Sequence, residues 1–263
     1  ARVIERDDGS RVLELNEGLA EHSVYDPDTA LTGDYWDGHV VLPFAAVDRP
    51  PSRVAILGNA AGTTSRAYEE YFPRTVVDGV EIDPELSEIG RKYFDTNNPR
   101  LHLHHEDARP WLRRTGDRFD VISVDAYRQP YIPFYLATKE FFELARARLN
   151  PGGVVMVNVG HPENSPRLEQ VLSATMRAVF GHVLRDPAQA VNTQLIAADV
   201  PLSAATLRAA VPGLAPALRP VAEATAARLA PALRGGRVYT DDVAPVEWLI
   251  DASIVQVAAD GTR

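Results

Sequence analysis

The chain has 263 residues, no cysteine, and 36 acidic against 27 basic side chains, a formal net charge of −9. That length holds one large α/β domain, or one domain with a small appendage, and the negative balance argues against sequence-independent binding to nucleic-acid phosphates while suiting a cationic substrate. Without cysteine there are no disulfides, thiolate zinc sites or cysteine nucleophiles, and this alone leaves the compartment undecided. Apolar runs such as 153–160 have strand length, far short of the roughly twenty residues a membrane helix needs. A cytoplasmic chain with no membrane contact of its own is therefore expected. The sequence begins at Ala1 rather than methionine, so it says nothing about an upstream segment.

Residues 2–26 read as a small β region: Val3 and Ile4, a turn at Asp7-Asp8-Gly9, then Val12, Leu13 and Leu15, then an extended piece through Val24 and Tyr25. Thr32 to Trp36 and an apolar segment to Phe44 follow, and Pro50-Pro51 closes the connection. Residues 1–50 are thus expected as an N-terminal β region and linker, and 51–263 as the main domain.

From Arg53 strands and helices alternate. Strands are expected at 53–58, 75–82, 101–105, 119–125 and 153–159, and helices at 63–72, 84–94, 108–114, 138–149 and 166–180. Closing strands follow at 182–185 and 193–197, so the prediction is an α/β doubly wound, mostly parallel, seven-stranded sheet with right-handed crossovers. Thr138 is placed to cap its helix, and Asn150-Pro151-Gly152-Gly153 to end it. Residues 201–234 read as helices broken at Pro212, Pro216 and Pro220 that pack on the sheet.

The segment 53–83 carries the strongest functional signal. An apolar strand (Val54, Ile56, Leu57) delivers Gly58-Asn59-Ala60-Ala61-Gly62 to a helix start, and Glu81-Ile82-Asp83 ends the next strand. Glu81 lies at roughly the twenty-residue spacing of a carboxylate that accepts from ribose hydroxyls. The turn lacks the Lys-Ser/Thr ending of a phosphate loop and fits G-x-G-x-x-G poorly, so an adenosine carrying a sulfonium fits better than a dinucleotide or triphosphate.

In an open parallel sheet, ligands sit beyond the carboxyl ends of the strands, which directs attention also to Glu106-Asp107-Ala108 and to 125–130. Asp107 is a candidate acceptor for an adenine amino group. Asp125 ends an apolar strand and is the candidate general base for an amine, whose pKa near that of lysine, about 10.4, demands loss of a proton before attack. Capping of the following loop is the competing role for Asp125. Tyr127-Arg128-Gln129-Pro130-Tyr131-Ile132-Pro133-Phe134 reads as a substrate-covering loop whose rings suit a sulfonium or ammonium. His102, His104 and His105 lie on one strand, where alternation sends the first two to one face and the third to the other, so no metal is expected.

Taken together, ILGNAAG, GVEID, the EDA at 106–108, VDAYRQPYIPF, LATKEFFELARARLNPGG and TDDVAPVE resemble the spermidine synthase family of polyamine aminopropyltransferases, whose main domain is class I methyltransferase-like. The resemblance implies that Gly58, Asn59, Gly62, Glu81, Ile82, Asp107 and Ala108 surround the nucleoside, with Glu81 on the ribose and Asp107 and Ala108 bordering adenine. It implies that Asp125 is the catalytic base, that Tyr35 lines the amine tunnel beside Tyr127 and Arg128, and that the N-terminal sheet pairs two subunits into a homodimer. Two positions depart from the family: Ala61 and Arg128 stand where it usually carries aspartates. Both changes favour a donor that retains its carboxylate, and Asp241 and Asp242 either restore acidity or cap the segment 244–249.

The leading expectation is a transferase that moves an aminopropyl group from an S-adenosylmethionine or decarboxylated S-adenosylmethionine donor to a small-molecule amine, without a metal. A methyltransferase acting on another acceptor and a non-catalytic nucleoside-binding module stay open as alternatives.

Overall fold

The computed structural model describes residues 1–15, 20–127, 132–163 and 165–251. Three strands, β1 (Arg2–Glu5), β2 (Arg11–Leu15) and β3 (Ala20–Tyr25), form an antiparallel sheet in that order. Between β1 and β2, Gly9 takes φ 81° and the Asp8 carboxylate accepts from the Ser10 amide at 2.9 Å, which is the turn chemistry of Asp-Asp-Gly. Residues 35–45 then coil into α1 (Gly38–Val41) between two 3-10 turns. Asp37 ties this segment down by accepting from the amides of Thr32 at 2.8 Å and Gly33 at 2.9 Å.

The main sheet follows as β4 (Arg53–Leu57), α2 (Thr63–Tyr71), β5 (Val76–Glu81), α3 (Pro84–Tyr93), β6 (Leu101–His105), α4 (Ala108–Arg114), β7 (Phe119–Val124), α5 (Lys139–Ala147), β8 (Leu149–Gly160), α6 (Arg167–Arg177), β9 (His182–Asp186), β10 (Asn192–Ala198), α7 (Ala204–Ala210), α8 (Leu218–Arg228) and β11 (Ala230–Pro231). Its order is β11-β9-β10-β8-β7-β4-β5-β6. The strands β4 to β8 run parallel, and β10 lies antiparallel between β8 and β9. The expected seven strands are present, and the two-residue β11 adds an eighth at the edge.

Apolar residues cover both faces of this sheet, as near-continuous hydrophobic strands require. On one face Trp111, Phe141, Phe142, Leu172 and Met176 are buried over β7 and β8. On the other, Val40, Phe44, Tyr68, Leu207 and Leu218 are buried, so the segment 35–45 belongs to the core of the large sheet. The small sheet reaches the main one through Leu13, which packs with Ala61, Leu86 and Phe94.

Thr138 caps α5 as expected, accepting from Phe141 N at 3.3 Å. The helix ends earlier than 149, and β8 begins at Leu149, because the 150–153 turn with Gly152 at φ 79° is absorbed into the strand start. Pro220 does not break its helix. It sits in the first turn of α8, where backbone N–H groups have no intrahelical partner to lose. His102 and His104 share one face, where Asp78 accepts from His104 Nε2 at 2.8 Å and Arg53 Nε at 2.8 Å, with His102 Nδ1 3.7 Å away. Among the described residues no group of three His, Asp or Glu side chains is arranged to hold a metal ion. Nor is any described helix long and apolar enough to cross a membrane.

Candidate active site

The carboxyl ends of β4, β5, β6 and β7 open into a cavity of about 460 Å³, within the range of small-molecule sites. Its floor begins at Gly58, which takes φ 94°. A Cβ at this position would lie 2.6 Å from Asp125 O and Ala126 Cα, both backbone atoms that cannot step aside. Gly58→Ala is therefore expected to lower stability by about 3 kcal/mol or more, read as a shift of the urea midpoint.

After Gly58 the turn is organised by side chains from other elements. Ala60, at φ 45°, donates its amide to Glu81 Oε2 at 2.9 Å, and Ala61 donates to Ser23 Oγ at 3.0 Å. Asn59 and Ala60 line the cavity. Ala61 does not; it is 1% exposed and packs into the apolar cluster beneath the small sheet. Gly62 is likewise outside the lining, and its φ of 98° starts α2 against Thr96.

Glu81 is buried at the end of β5, with Oε2 on Ala60 N and Oε1 accepting from Asp83 N at 3.0 Å. Burial raises its pKa, and the backbone donors pull the other way. Beside it Ile82 lines the cavity with 67% of its surface exposed, an apolar platform suited to a base. Asp107 caps α4 by accepting from Arg109 N at 2.9 Å, and its other oxygen accepts from Tyr135 Oη at 2.5 Å. Ala108 adjoins it in the lining.

Asp125 follows β7, and two donors hold its carboxylate. Oδ1 accepts from Asn158 Nδ2 at 2.8 Å and Oδ2 from Tyr35 Oη at 3.3 Å. Burial pushes its pKa up to about 7, against the pull of those donors. A carboxylate near neutrality is well matched to accepting a proton at physiological pH. Tyr127 is clamped between β8 atoms, donating to Asn158 O at 2.8 Å and accepting from Gly160 N at 2.7 Å. Arg128, expected beside it, lies outside the described residues, as do Gln129, Pro130 and Tyr131 of the covering loop.

Asp241 serves a different purpose from the pocket. It accepts from Arg109 through both oxygens, at 2.8 and 2.6 Å, and from Thr138 Oγ1 at 2.7 Å, fastening the C-terminal segment to α4 and α5.

Asn158, Asn192, Trp36 and the hairpin residues Glu21 to Ser23 also line the cavity, and none of them belongs to the strand-end motifs that mark the other lining residues. For Asn158 a signal existed: a lone amide near the end of an otherwise apolar strand has to find a hydrogen-bond partner. Six carboxylates line the cavity, Glu21, Glu81, Asp83, Glu106, Asp107 and Asp125, and no described lining residue is Lys or Arg. Glu21 and Glu106 are ion-paired, to Arg6 and Arg114, which leaves four acids without a cationic partner among the described residues.

The order β9-β10-β8-β7-β4-β5-β6, with β10 antiparallel to both its neighbours and the short β11 added at the edge, defines a class I methyltransferase-like α/β architecture. The family model described as the spermine/spermidine synthase domain matches residues 39–193, and the chain belongs to that family. A probable polyamine aminopropyl transferase of Bifidobacterium longum is 36% identical over 191 residues, which is 72% of this chain and 40% of that protein. The polyamine aminopropyltransferase of Vibrio vulnificus is 36% identical over 137 residues, 50% of this chain and 44% of its own. The chain thus spans less than half the length of these curated relatives. In fold it is similar to a probable spermidine synthase from Corynebacterium glutamicum, with a TM-score of 0.68, 23% identity, and coverage of 89% of this chain and 92% of the other.

Proposed function

We propose that the cavity takes a decarboxylated S-adenosylmethionine donor and that the chain transfers its aminopropyl group to an amine, with Asp125 as general base. The observation that carries this reading is the charge of the lining: four unpaired carboxylates and no lysine or arginine among the described lining residues. Such a surface attracts a sulfonium and an ammonium and repels a donor that keeps its carboxylate. The expectation of a donor that keeps its carboxylate rested on Ala61 and Arg128; the methyl group of Ala61 is buried away from the cavity, and Arg128 lies outside the described residues.

In the proposed step the acceptor ammonium gives a proton to Asp125, the freed amine attacks the propyl carbon next to sulfur, and the carbon–sulfur bond breaks to release a neutral thioether. Since the leaving group is already good, most of the rate comes from alignment of nitrogen, carbon and sulfur. Glu81 would hold the ribose and Ile82 the adenine face, while Asp107 and Ala108 border its edge. The names of the curated relatives support the same chemistry.

Titration calorimetry with the two donors tests the assignment. The decarboxylated form is expected to bind at least about tenfold tighter, a difference of about 1.4 kcal/mol. Equal binding, or preference for the carboxylated donor, would move the assignment to methyl transfer. Mass analysis of amines incubated with the preferred donor then separates an enzyme, which yields a product heavier by one aminopropyl group, from a binding module, which yields none.

A further inference from the structure

The antiparallel strand β10 begins where the parallel strands end, so it is the strand whose first residues, rather than last, reach the cavity. Alternation sets Asn192 and Gln194 on one face, the face that packs against the segment 35–45. Each of these amides leads to a different oxygen of Asp125. Asn192 Nδ2 donates to Asn158 Oδ1 at 3.0 Å, and Asn158 Nδ2 donates to Asp125 Oδ1 at 2.8 Å. Gln194 Nε2 donates to the backbone oxygen of Tyr35 at 3.0 Å, and Tyr35 Oη donates to Asp125 Oδ2.

We infer that Asn192 and Gln194 are positioning residues that brace the Asp125 carboxylate from both sides, one through Asn158 and the other through Tyr35. This rests on Asp125 being the base proposed above. The physical reason for the first arm is the two-ended nature of an amide. With its oxygen engaged by Asn192, the Asn158 side chain must turn its NH₂ toward Asp125; without that contact it is free to flip and present oxygen to a carboxylate.

The second arm works through the backbone. Gln194 is fully buried, and its amide seats the first turn of the segment 35–45 against the sheet. One helical turn below Tyr35, His39 Nδ1 meets Ser123 Oγ at 2.5 Å, and Ser123 lies two residues before Asp125 on β7. From Tyr35 to His39 the chain passes from a 3-10 turn, rising about 2.0 Å per residue, into α1, rising about 1.5 Å. The two residues are thus about 7 Å apart along the axis, close to the roughly 6.6 Å of two strand residues, and His39–Ser123 and Tyr35–Asp125 are in register.

The test is the titration of Asp125 itself, followed by carboxyl carbon NMR with Asp125→Asn identifying the signal, in wild type, Asn192→Ala and Gln194→Met. Asn192→Ala is expected to raise the midpoint by about one pH unit, because a donor to the ionised form is weakened. The acid limb of kcat/KM should move with it. Adding Asn192→Ala to Asn158→Ala should change nothing further, since the first arm acts only through Asn158. Gln194→Met should lower kcat more than it raises KM.

Should Asn192→Ala prove unstable, Asn192→Ser, at a partly exposed strand start, serves the same purpose. Folded variants that leave the Asp125 midpoint and kcat unchanged would overturn the bracing. If neither donor gives any product while the midpoint still moves, the proposed reaction falls and the bracing stands.

Discussion

Asp125→Asn is expected to lower kcat/KM for aminopropyl transfer by about 10³-fold, within the 10² to 10⁴ that a positioned base contributes, while methylthioadenosine binds within a few-fold of wild type. Asparagine keeps the size of the side chain and at most one of its acceptors, so the loss falls on proton removal. Stopped assays across pH give a second reading. Because burial holds the carboxyl near 7, the base is ionised only above that value, and kcat/KM should fall about tenfold per unit below it. Full turnover by Asp125→Asn would remove the assignment.

The same substitution should make the protein more stable at neutral pH. The folded value, about 7, lies above the ordinary aspartate value of 3.8. Between about pH 4 and 7 the unfolded chain releases a proton that the folded chain retains, so stability declines through that window and levels off above it. Asparagine has no such proton. At pH 8 Asp125→Asn should therefore be more stable by about 1 to 2 kcal/mol, after allowance for the solvent that reaches the pocket, and at pH 4 the two proteins should melt together. Opposite movements of activity and stability would mark a residue held for chemistry rather than for folding.

The second large effect is expected at Glu81. Its two oxygens already organise the site, one on the Ala60 amide and one on the Asp83 amide. Glu81→Gln replaces one acceptor with a donor, which sets an NH₂ against a backbone N–H and weakens the contact with ribose hydroxyls. Hydrogen bonds to a charged group contribute about 1.5 to 3 kcal/mol, so methylthioadenosine affinity should fall roughly 10- to 100-fold by calorimetry. Unchanged affinity would show that the ribose does not meet this carboxylate.

Much of this arrangement was legible in the chain because its signals are local. Apolar strands alternating with amphipathic helices dictate a parallel sheet, and such a sheet places strand ends together, so Gly58, Glu81, Asp107 and Asp125 were expected around one cavity and line it. Gly62 and Ala61 were read as part of the same set because they share its turn. The backbone, with Ala60 at φ 45° and Gly62 at φ 98°, carries them away from the ligand side.

Other features needed partners distant in sequence. Asp241 looked like an acid for the pocket or a cap, and became an ion-pair partner only because α4 brings Arg109 across 132 residues to meet it. Gln194 falls within the expected strand 193–197 and Asn192 just before it, and no periodicity reports which neighbour an amide will face.

Strand and helix identity, the direction of the crossovers and the acids at the strand ends were determined by the order of residues alone, since backbone sterics and apolar spacing act over a few positions. What the tertiary structure decided was the state of those acids. The near-neutral titration of Asp125, the two amide routes to its oxygens and the balance of charge around the cavity arise from burial and from contacts between remote segments, and both come into being only when the sheet is assembled.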